Sequence, residues 1–372
     1  MSRIAAIPRF YLGTLGATAI GAVLCAIGAA VDATGFLRGW LAAWSFWIGL
    51  PLGALMLLMA HDLTGGRWGA AAGAPLAAAA ATLPLAAILF IPVLLGVSRL
   101  YPWARPEEAA HLANHFYLNV PFFVARTVVY FVLWCLLAWL AARRRPPEKV
   151  GAATAAAPSL IVLALTATFA AFDWTMSLQP DWSSSIYGML VIGGDLIGAL
   201  SAATFAAIVT RRATTPGERT DLGSLLIAGI LVWAYFAFMQ FVIIWEENLP
   251  KEIAWYLPRF AGGWTGVAIA VALGQGLLPF LALIWWPVKR SRFGLAAVCC
   301  LLLTAHLLEC WWLVLPGSGD GGFTWQAIAA SLAIGGAWCA LFGWRLETGR
   351  LLPRQFDRRT GTAATSRAHF HG

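Results

Sequence analysis

The sequence predicts an all-α membrane protein with about ten transmembrane helices. Hydrophobic residues make up 60% of the chain and charged residues 11%, whereas a typical soluble domain is about 25% charged. Apolar runs of about 20 residues, each long enough to cross ~30 Å of hydrocarbon, recur along the whole sequence. These runs are too long and too uniformly apolar for barrel strands, so a helical bundle is the fold that satisfies the backbone in lipid.

Ten predicted spans cover most of the chain, and the polar connections between them are short. The spans lie at residues 10–31, 39–60, 74–96, 120–142, 158–178, 186–210, 222–245, 264–286, 293–315 and 324–344. We therefore expect one integral membrane domain over residues 1–345. A polar, basic, cytoplasmic tail would follow over residues 346–372.

The distribution of basic residues predicts that both termini are cytoplasmic. With an even number of spans, most of the 25 Lys and Arg residues then fall on the inner side, among them the run Arg143-Arg144-Arg145. Cytoplasmic loops of membrane proteins carry such an excess. The same distribution indicates no nucleic-acid partner, because the charges form no concentrated basic face.

The cysteines and histidines predict no metal site on this chain. None of the six cysteines belongs to a Cys-x-x-Cys pair or a Cys-x-x-Cys-His haem-attachment site. His306 and Glu309 are three residues apart, but a di-metal carboxylate bundle needs two such motifs and further inward-facing carboxylates. Haem held by two histidines would need a second histidine deep in the membrane. We therefore expect no cofactor bound by this chain alone.

Ionisable residues inside the predicted spans are the feature most informative for function, because charge in a bilayer is costly. Helical rise places Asp173 roughly 7 Å below the outer boundary and Asp195 about 13 Å below it, near the midplane. His306 and Glu309 share one face in the outer half of span nine. Arg126, about 10 Å deep in span four, is a candidate ion-pair partner for Asp173, Asp195 or Glu309.

Span seven adds a polar stripe to the same half of the membrane. Trp233, Gln240 and Glu247 are seven residues apart in sequence and therefore share a face that climbs towards the outer surface. Together, five helices direct polar groups at one layer. Three interpretations fit such a layer: structural pairing of charges, a proton relay, and a polar-headed pocket for a quinone or similar lipid-soluble ligand.

Five short motifs stand in the loops and at the span ends. They are Leu63-Thr64-Gly65-Gly66, Tyr101-Pro102-Trp103, Tyr117 to Phe123, Asp173-Trp174-x-Met176-Ser177-Leu178 and Asn248-Leu249-Pro250-x-Glu252. In this order they resemble the second, smaller NrfD-like "quinone-binding" membrane subunit of bacterial alternative complex III, a quinol:cytochrome c oxidoreductase. The likeness covers roughly residues 40 to 345 and includes the number and order of the spans.

The resemblance implies a ten-helix bundle containing two four-helix units, in the inner (cytoplasmic) membrane of a bacterial cell. It implies a larger NrfD-like paralogue, an iron–sulfur subunit and a multihaem cytochrome c as partners, besides membrane lipid. Haems and iron–sulfur clusters would belong to those partners. This chain would be a non-redox-metal subunit rather than an enzyme alone, credited with proton movement or structure, and quinol or menaquinol would be its only candidate ligand.

Our mechanistic hypothesis is a proton relay across the bundle. The candidates are His61 at the inner edge, Asp195 near the midplane, Asp173, Gln240, His306 and Glu309 in the outer half, and Glu246 and Glu247 at the outer exit. The first alternative is a quinol site in the outer half, with Asp173 or His306 as proton acceptor and Trp233 or Phe236 against the ring. A secondary transporter is the second alternative. Pro84, Pro92 and Pro279 interrupt spans three and eight, but they form no matched pair of inverted repeats.

Overall fold

The computed structural model describes residues 2–110, 114–143, 151–212, 215–316 and 324–348. Within these residues, ten helices are long and apolar enough to cross a membrane. They are α1 (Ser2–Val31), α2 (Ala33–Thr64), α3 (Trp68–Leu95), α4 (Val120–Arg143), α5 (Gly151–Trp174), α6 (Tyr187–Val209), α7 (Pro216–Glu247), α8 (Trp264–Ile284), α9 (Arg292–Val314) and α10 (Trp325–Thr348). The predicted all-α, multi-pass class is confirmed. Most of the predicted tail, from residue 349 onwards, lies outside the described residues.

Short helical segments occupy several of the connections between these helices. The α-helical ones are Val97–Leu100, Pro106–Ala109, Pro250–Ile253 and Trp286–Arg290, and the 3-10 ones are Pro102–Ala104, Met176–Leu178 and Pro258–Phe260. We call the end of the bundle at which α5 and α9 finish the outer end, following the orientation that the basic residues predict.

Two helices begin about six residues earlier than the apolar runs indicated, because polar residues cap them. The Asp32 carboxylate accepts hydrogen bonds from the backbone N–H groups of Thr34 and Gly35 at the start of α2. At the start of α7, Thr215 and Glu218 form a reciprocal capping box. Such side chains satisfy backbone donors that have no partner within the helix. Both helices are consequently 32 residues long.

Helix α3 is broken in its outer half, where Pro84 and Pro92 lie. Several backbone hydrogen bonds there join residues three apart instead of four. The N–H of Phe90 donates to the carbonyl of Ala87, which leaves the Ala86 carbonyl without its helical partner. The Trp44 indole of α2 donates to that carbonyl at 2.9 Å. Trp40 does the same for the Leu89 carbonyl at 2.8 Å. Indole groups from a neighbouring helix thus satisfy the interrupted backbone inside the membrane.

We describe α2 to α9 in chain order as two four-helix units, the division that the resemblance implies. One unit contains α2 to α5 and the other contains α6 to α9, and the units meet mainly along α2 and α6. These two helices run side by side in the same direction, with Gly49 opposite the Asp195 side chain and Gly53 opposite Asp195 and Ala199. Beside the units, α1 and α10 form an antiparallel pair, and α10 also packs on α2.

Candidate functional site

The most unusual polar group in the described residues is buried in the outer half of the bundle, where the two units meet. It consists of Asp195 of α6, Trp233 of α7, Gln275 of α8, and His306 and Glu309 of α9, and we call it the central cluster. The imidazole lies between two carboxylates. Its Nδ1 is 3.0 Å from Glu309 Oε2, and its Nε2 is 3.5 Å from Asp195 Oδ1.

The Glu309 carboxylate is the centre of this network. Trp233 Nε1 donates to its Oε1 at 2.6 Å, and Gln275 Nε2 donates to its Oε2 at 2.6 Å. Such short distances are typical of charge-assisted hydrogen bonds to an ionised carboxylate. Neither the Trp nor the Gln brings a compensating charge, and His306 is the ionisable group at hydrogen-bond distance from Glu309.

Three glycines make the space that the charged groups occupy. A Cβ atom at Gly49 would overlap the Asp195 carboxylate. At Gly194 it would lie 2.7 Å from Glu309 Oε2, and at Gly198 it would lie 2.7 Å from His306 Cδ2. The close approach of α2, α6 and α9 therefore depends on residues without side chains, as is common at helix interfaces in membranes.

Gln275 reaches the central cluster through a π-helical turn at Ala272–Leu277 in the middle of α8. The cause lies four residues further on, at Pro279. A proline has no N–H to donate, and its ring clashes with the carbonyl four residues before it, which here belongs to Gln275. Widening the helix to a π turn relieves this clash, and such turns are frequent at functional sites.

A small cavity adjoins the central cluster on its outer side. It offers about 20 Å³ to the centre of a water molecule, which is room for about one water. The lining residues are Ser45, Thr175, Val191, Asp195, His306, Glu309, Cys310, Leu313 and Val314. His306 Nε2 is buried, and its distance to Asp195 is too long for a well-formed hydrogen bond. A water at this place would have the polar partners that buried water requires.

A second polar group lies in the first four-helix unit and is an ordinary ion pair. Arg126 of α4 contacts Asp173 of α5 through two parallel bonds, Nε to Oδ2 at 2.8 Å and Nη2 to Oδ1 at 2.9 Å. Tyr130 also donates to Oδ2, at 2.8 Å. The guanidinium further donates to the Tyr117 carbonyl and lies over the Tyr117 and Phe122 rings. Both charges are thus fully satisfied where they stand.

The structure divides the polar layer that the sequence predicted into these two groups. No hydrogen bond or ion pair in the described residues joins Asp173 to Asp195, His306 or Glu309. Of the three partners that the sequence left open for Arg126, the structure shows Asp173. The prediction that five helices direct polar groups at one layer concerned depth alone, and depth along a helix does not determine which neighbour a side chain faces.

The remaining relay candidates lie away from the central cluster. Gln240 is buried near the outer end, 3.4 Å from the Ser184 hydroxyl and 3.4 Å from the Tyr256 hydroxyl. Glu246 and Glu247 are exposed at the end of α7. His61 lies at the inner end, with Nε2 3.1 Å from the Gly66 carbonyl and its ring against Trp68. Of the two aromatic candidates, Trp233 joins the cluster, whereas Phe236 only packs against the apolar core.

Sequence reasoning missed Arg259, a fully buried cation in the connection between α7 and α8. Its guanidinium donates to the carbonyls of Trp255 (2.6 Å) and Leu313 (2.7 Å) and to Gln179 Oε1 (3.0 Å), and it lies 3.6 Å from the Trp255 ring centre. Burial lowers the pKa of Arg259 to about 9, so the group is still a cation at neutral pH. It holds three outer segments together next to Leu313, which lines the cavity.

No protein-family model matches the chain, and no curated protein is significantly similar to it. In the part of the chain that the structure describes, no group of three or more His, Cys, Asp and Glu side chains has the arrangement of a metal site.

Proposed function

We propose that this multi-pass membrane protein is a subunit of a quinol-oxidising respiratory complex of the alternative complex III type, in which it carries protons and supports sister subunits. The ten helices in two four-helix units, with a helix pair beside them, are the architecture that the resemblance implies. The same proposal includes the bacterial inner membrane and partners that hold the haems and iron–sulfur clusters.

One observation carries the proton-carrying part of the proposal: His306 lies between two buried carboxylates, beside a cavity the size of a water molecule. A proton that moves from the imidazole to either carboxylate leaves the net charge of the group unchanged. Such a transfer therefore avoids the cost of creating a new charge within the membrane. Intramembrane carboxylate and histidine chains are the usual form of proton relays.

A connection towards the inner end would pass along α6. The hydroxyls of Ser201 and Thr204 lie on the inner side of Asp195, are buried, and have no hydrogen-bond partner in the described part of the chain. Buried polar atoms in such positions are usually satisfied by ordered water. They are candidate members of the inner half of the proton path, between His61 and Asp195, for which the sequence predicted no residue.

The quinol-site alternative is less well supported by the geometry. Trp233, the aromatic residue proposed to contact the ring, is engaged with Glu309. The cavity beside His306 accommodates about one water, whereas pockets for ring-sized ligands measure roughly 300–1,000 Å³. The transporter alternative requires matched broken helices. The breaks in α3 and α8 lie in the second helix of one four-helix unit and in the third helix of the other.

The test has two steps. The tagged chain is first purified from its native membranes in mild detergent, with mass spectrometry of the bound proteins and a haem spectrum. Multihaem cytochrome and iron–sulfur partners are expected, and a colourless, solitary protein would overturn the proposal. The complex is then reconstituted in vesicles, and quinol-driven proton release is compared for Asp195→Asn and Asp221→Asn. Asp221 pairs with Arg67 at the inner end, so only Asp195→Asn should lower the proton yield.

A further inference from the structure

Arg259 is a buried cation that meets no carboxylate in the described residues, and it lies next to the cavity beside the central cluster. Its guanidinium donates to neutral oxygens alone, namely two backbone carbonyls and the Gln179 side chain. One of the carbonyls belongs to Leu313, which lines the cavity. Buried charges are usually paired with an opposite charge. A buried cation that is held only by neutral groups is therefore a candidate for a functional role.

The hydroxyl of Tyr187 is within electrostatic range of both Arg259 and the central cluster. Tyr187 is the first residue of α6 and is fully buried. Its hydroxyl interacts with the Arg259 guanidinium and also with Glu309 and Cys310. It lies beside the hydroxyl of Thr175, a cavity residue, but the two form no well-aligned hydrogen bond. Buried hydroxyls of this kind are usually satisfied by ordered water, which would join Tyr187 to the cavity.

Aromatic rings enclose Tyr187 and Arg259 at the outer end of the bundle. Trp182 and Trp255 stack with their ring centres 4.5 Å apart, and both lie edge-on to the Tyr187 ring, at 5.8 and 6.2 Å. The Arg259 guanidinium lies over the Trp255 ring, 3.6 Å from its centre. All four side chains are less than 5% exposed. Bulk water is therefore excluded here, and the guanidinium charge acts on its neighbours with little screening.

We propose that Tyr187 and Arg259 form an outer gate of the proton path, a proposal that rests on the proposed proton-carrying function. A proton that leaves the central cluster through water in the cavity binds to the oxygen of the Tyr187 hydroxyl, which releases its own proton on the outer side. The hydroxyl is therefore neutral before and after each transfer. The Arg259 cation raises the free energy of an excess proton nearby, whichever way the proton travels, as arginine does in pores that exclude protons. The path consequently leaks little while no quinol is oxidised.

The first measurement is the passive proton leak of the complex in vesicles, under an imposed pH gradient and without quinol. Arg259→Gln removes the charge and should raise the leak at least about tenfold, because repulsion between charges is strong where screening is weak. Arg259→Lys keeps the charge and should leak little. Arg105→Gln is the matched control, since Arg105 is an exposed outer-end arginine paired with Glu108. A leak in Arg259→Gln no faster than in the unaltered protein or in Arg259→Lys would overturn the proposal.

Tyr187→Phe tests the hydroxyl and should fold normally, because this hydroxyl has no hydrogen bond to lose in the described residues. Quinol-driven proton release should fall at least about tenfold, as expected when a proton-transferring group is removed. Tyr101→Phe is its control, since the buried Tyr101 hydroxyl donates to the Trp174 carbonyl, and it should leave release unchanged. The double variant Arg259→Gln with Tyr187→Phe should leak as little as the unaltered protein. A double variant that leaks as fast as Arg259→Gln would assign the leak to disturbed packing and overturn the gate.

Comparison with Asp195→Asn separates failure of the gate from failure of the proposed function. A lower proton yield in Asp195→Asn, with normal release in Tyr187→Phe and a normal leak in Arg259→Gln, would overturn the gate alone. Normal proton release in both Asp195→Asn and Tyr187→Phe would overturn the proton-carrying function, and the gate with it.

Discussion

Asp173 and Glu309 occupy corresponding positions in the two four-helix units but have opposite surroundings. Each lies near the outer end of the last helix of its unit, α5 or α9, and each accepts a hydrogen bond from the helix before its own, α4 or α8. Asp173 meets the guanidinium of Arg126 and a tyrosine hydroxyl. Glu309 meets an amide, an indole and an imidazole. One carboxylate is neutralised in place, whereas the other contacts a group that can exchange protons.

This contrast explains why a buried charge alone does not indicate a proton path. A bidentate arginine cannot give up its proton at any physiological pH, so the Asp173 pair is fixed and serves packing. The imidazole of His306 can both bind and release a proton, and moving a proton between it and a carboxylate requires only small displacements. In the proposed function, the first unit therefore serves as a frame, and the second supplies the group that changes its protonation.

The largest expected effect is on stability, at Asp173. Replacing it with Asn leaves the Arg126 guanidinium buried without a counter-charge, which should cost ~3–5 kcal/mol of unfolding free energy. The measurement is the thermal or denaturant midpoint of the purified protein. The double variant Arg126→Met with Asp173→Leu removes both charges and should recover most of the loss. A double variant as unstable as Asp173→Asn would show that the pair does more than neutralise charge.

The second effect tests whether close packing around His306 requires glycine. Gly198→Ala places a methyl group about 2.7 Å from His306 Cδ2 and should destabilise the bundle by ~1–3 kcal/mol through overpacking. Gly266→Ala is the matched control, since nothing lies within 4 Å of a Cβ there. It should be neutral or slightly stabilising, because alanine favours helix more than glycine does. Equal losses in the two variants would argue against close packing as the cause.

The third effect concerns proton movement and directly tests the contrast between Asp173 and Glu309. Glu309→Gln keeps the shape of the side chain and removes its charge, so we expect assembly to persist while quinol-driven proton release falls at least about tenfold, which corresponds to ~1.4 kcal/mol. The readout is a pH-sensitive dye in vesicles that contain the complex. Unchanged proton release at normal assembly would place the path elsewhere and leave Glu309 as a structural residue.

The smallest effect tests the rigidity of the first unit. Trp44→Phe keeps an aromatic ring in a cluster with Phe90 and Trp174 but removes the hydrogen bond to the Ala86 carbonyl of the broken helix α3. Loss of this one hydrogen bond should cost ~1 kcal/mol of unfolding free energy. Hydrogen exchange of residues 83–95 measures whether the loss is local. Protection unchanged throughout this segment would show that the indole is not required there.

The fold class and four members of the central cluster could be predicted from the sequence, Trp233 among them through the polar stripe of span seven. Asp195, His306 and Glu309 are polar residues in apolar runs, and helical rise alone brings them to one level. Rise does not give direction around the helix, however, so the sequence argument could not separate Asp173 from this group. The partner of Arg126 was left open for the same reason.

Gln275 and Arg259 were missed for different physical reasons. The spacing rules for an α-helix do not apply across the π turn, so the direction of the Gln275 side chain could not be derived from neighbouring residues. The signal was present, however, as a glutamine between Gly274 and Gly276, four residues before Pro279. Arg259 lies in the connection between α7 and α8, outside the apolar runs that predicted the spans, and only the aromatic residues around it, such as Trp255, pointed to burial.

The π turn in α8 also makes the central cluster sensitive to chain length. This turn contains one residue more than an α-helical turn, so deleting a single residue within Ala272–Leu277 would return the helix to regular winding. Everything on one side of the deletion would then rotate by about 100° relative to the other. The amide at Gln275 would leave Glu309, while the contacts of α8 beyond Pro279 could stay as they are. A one-codon deletion would therefore remove the Gln275–Glu309 hydrogen bond without replacing any residue of the central cluster.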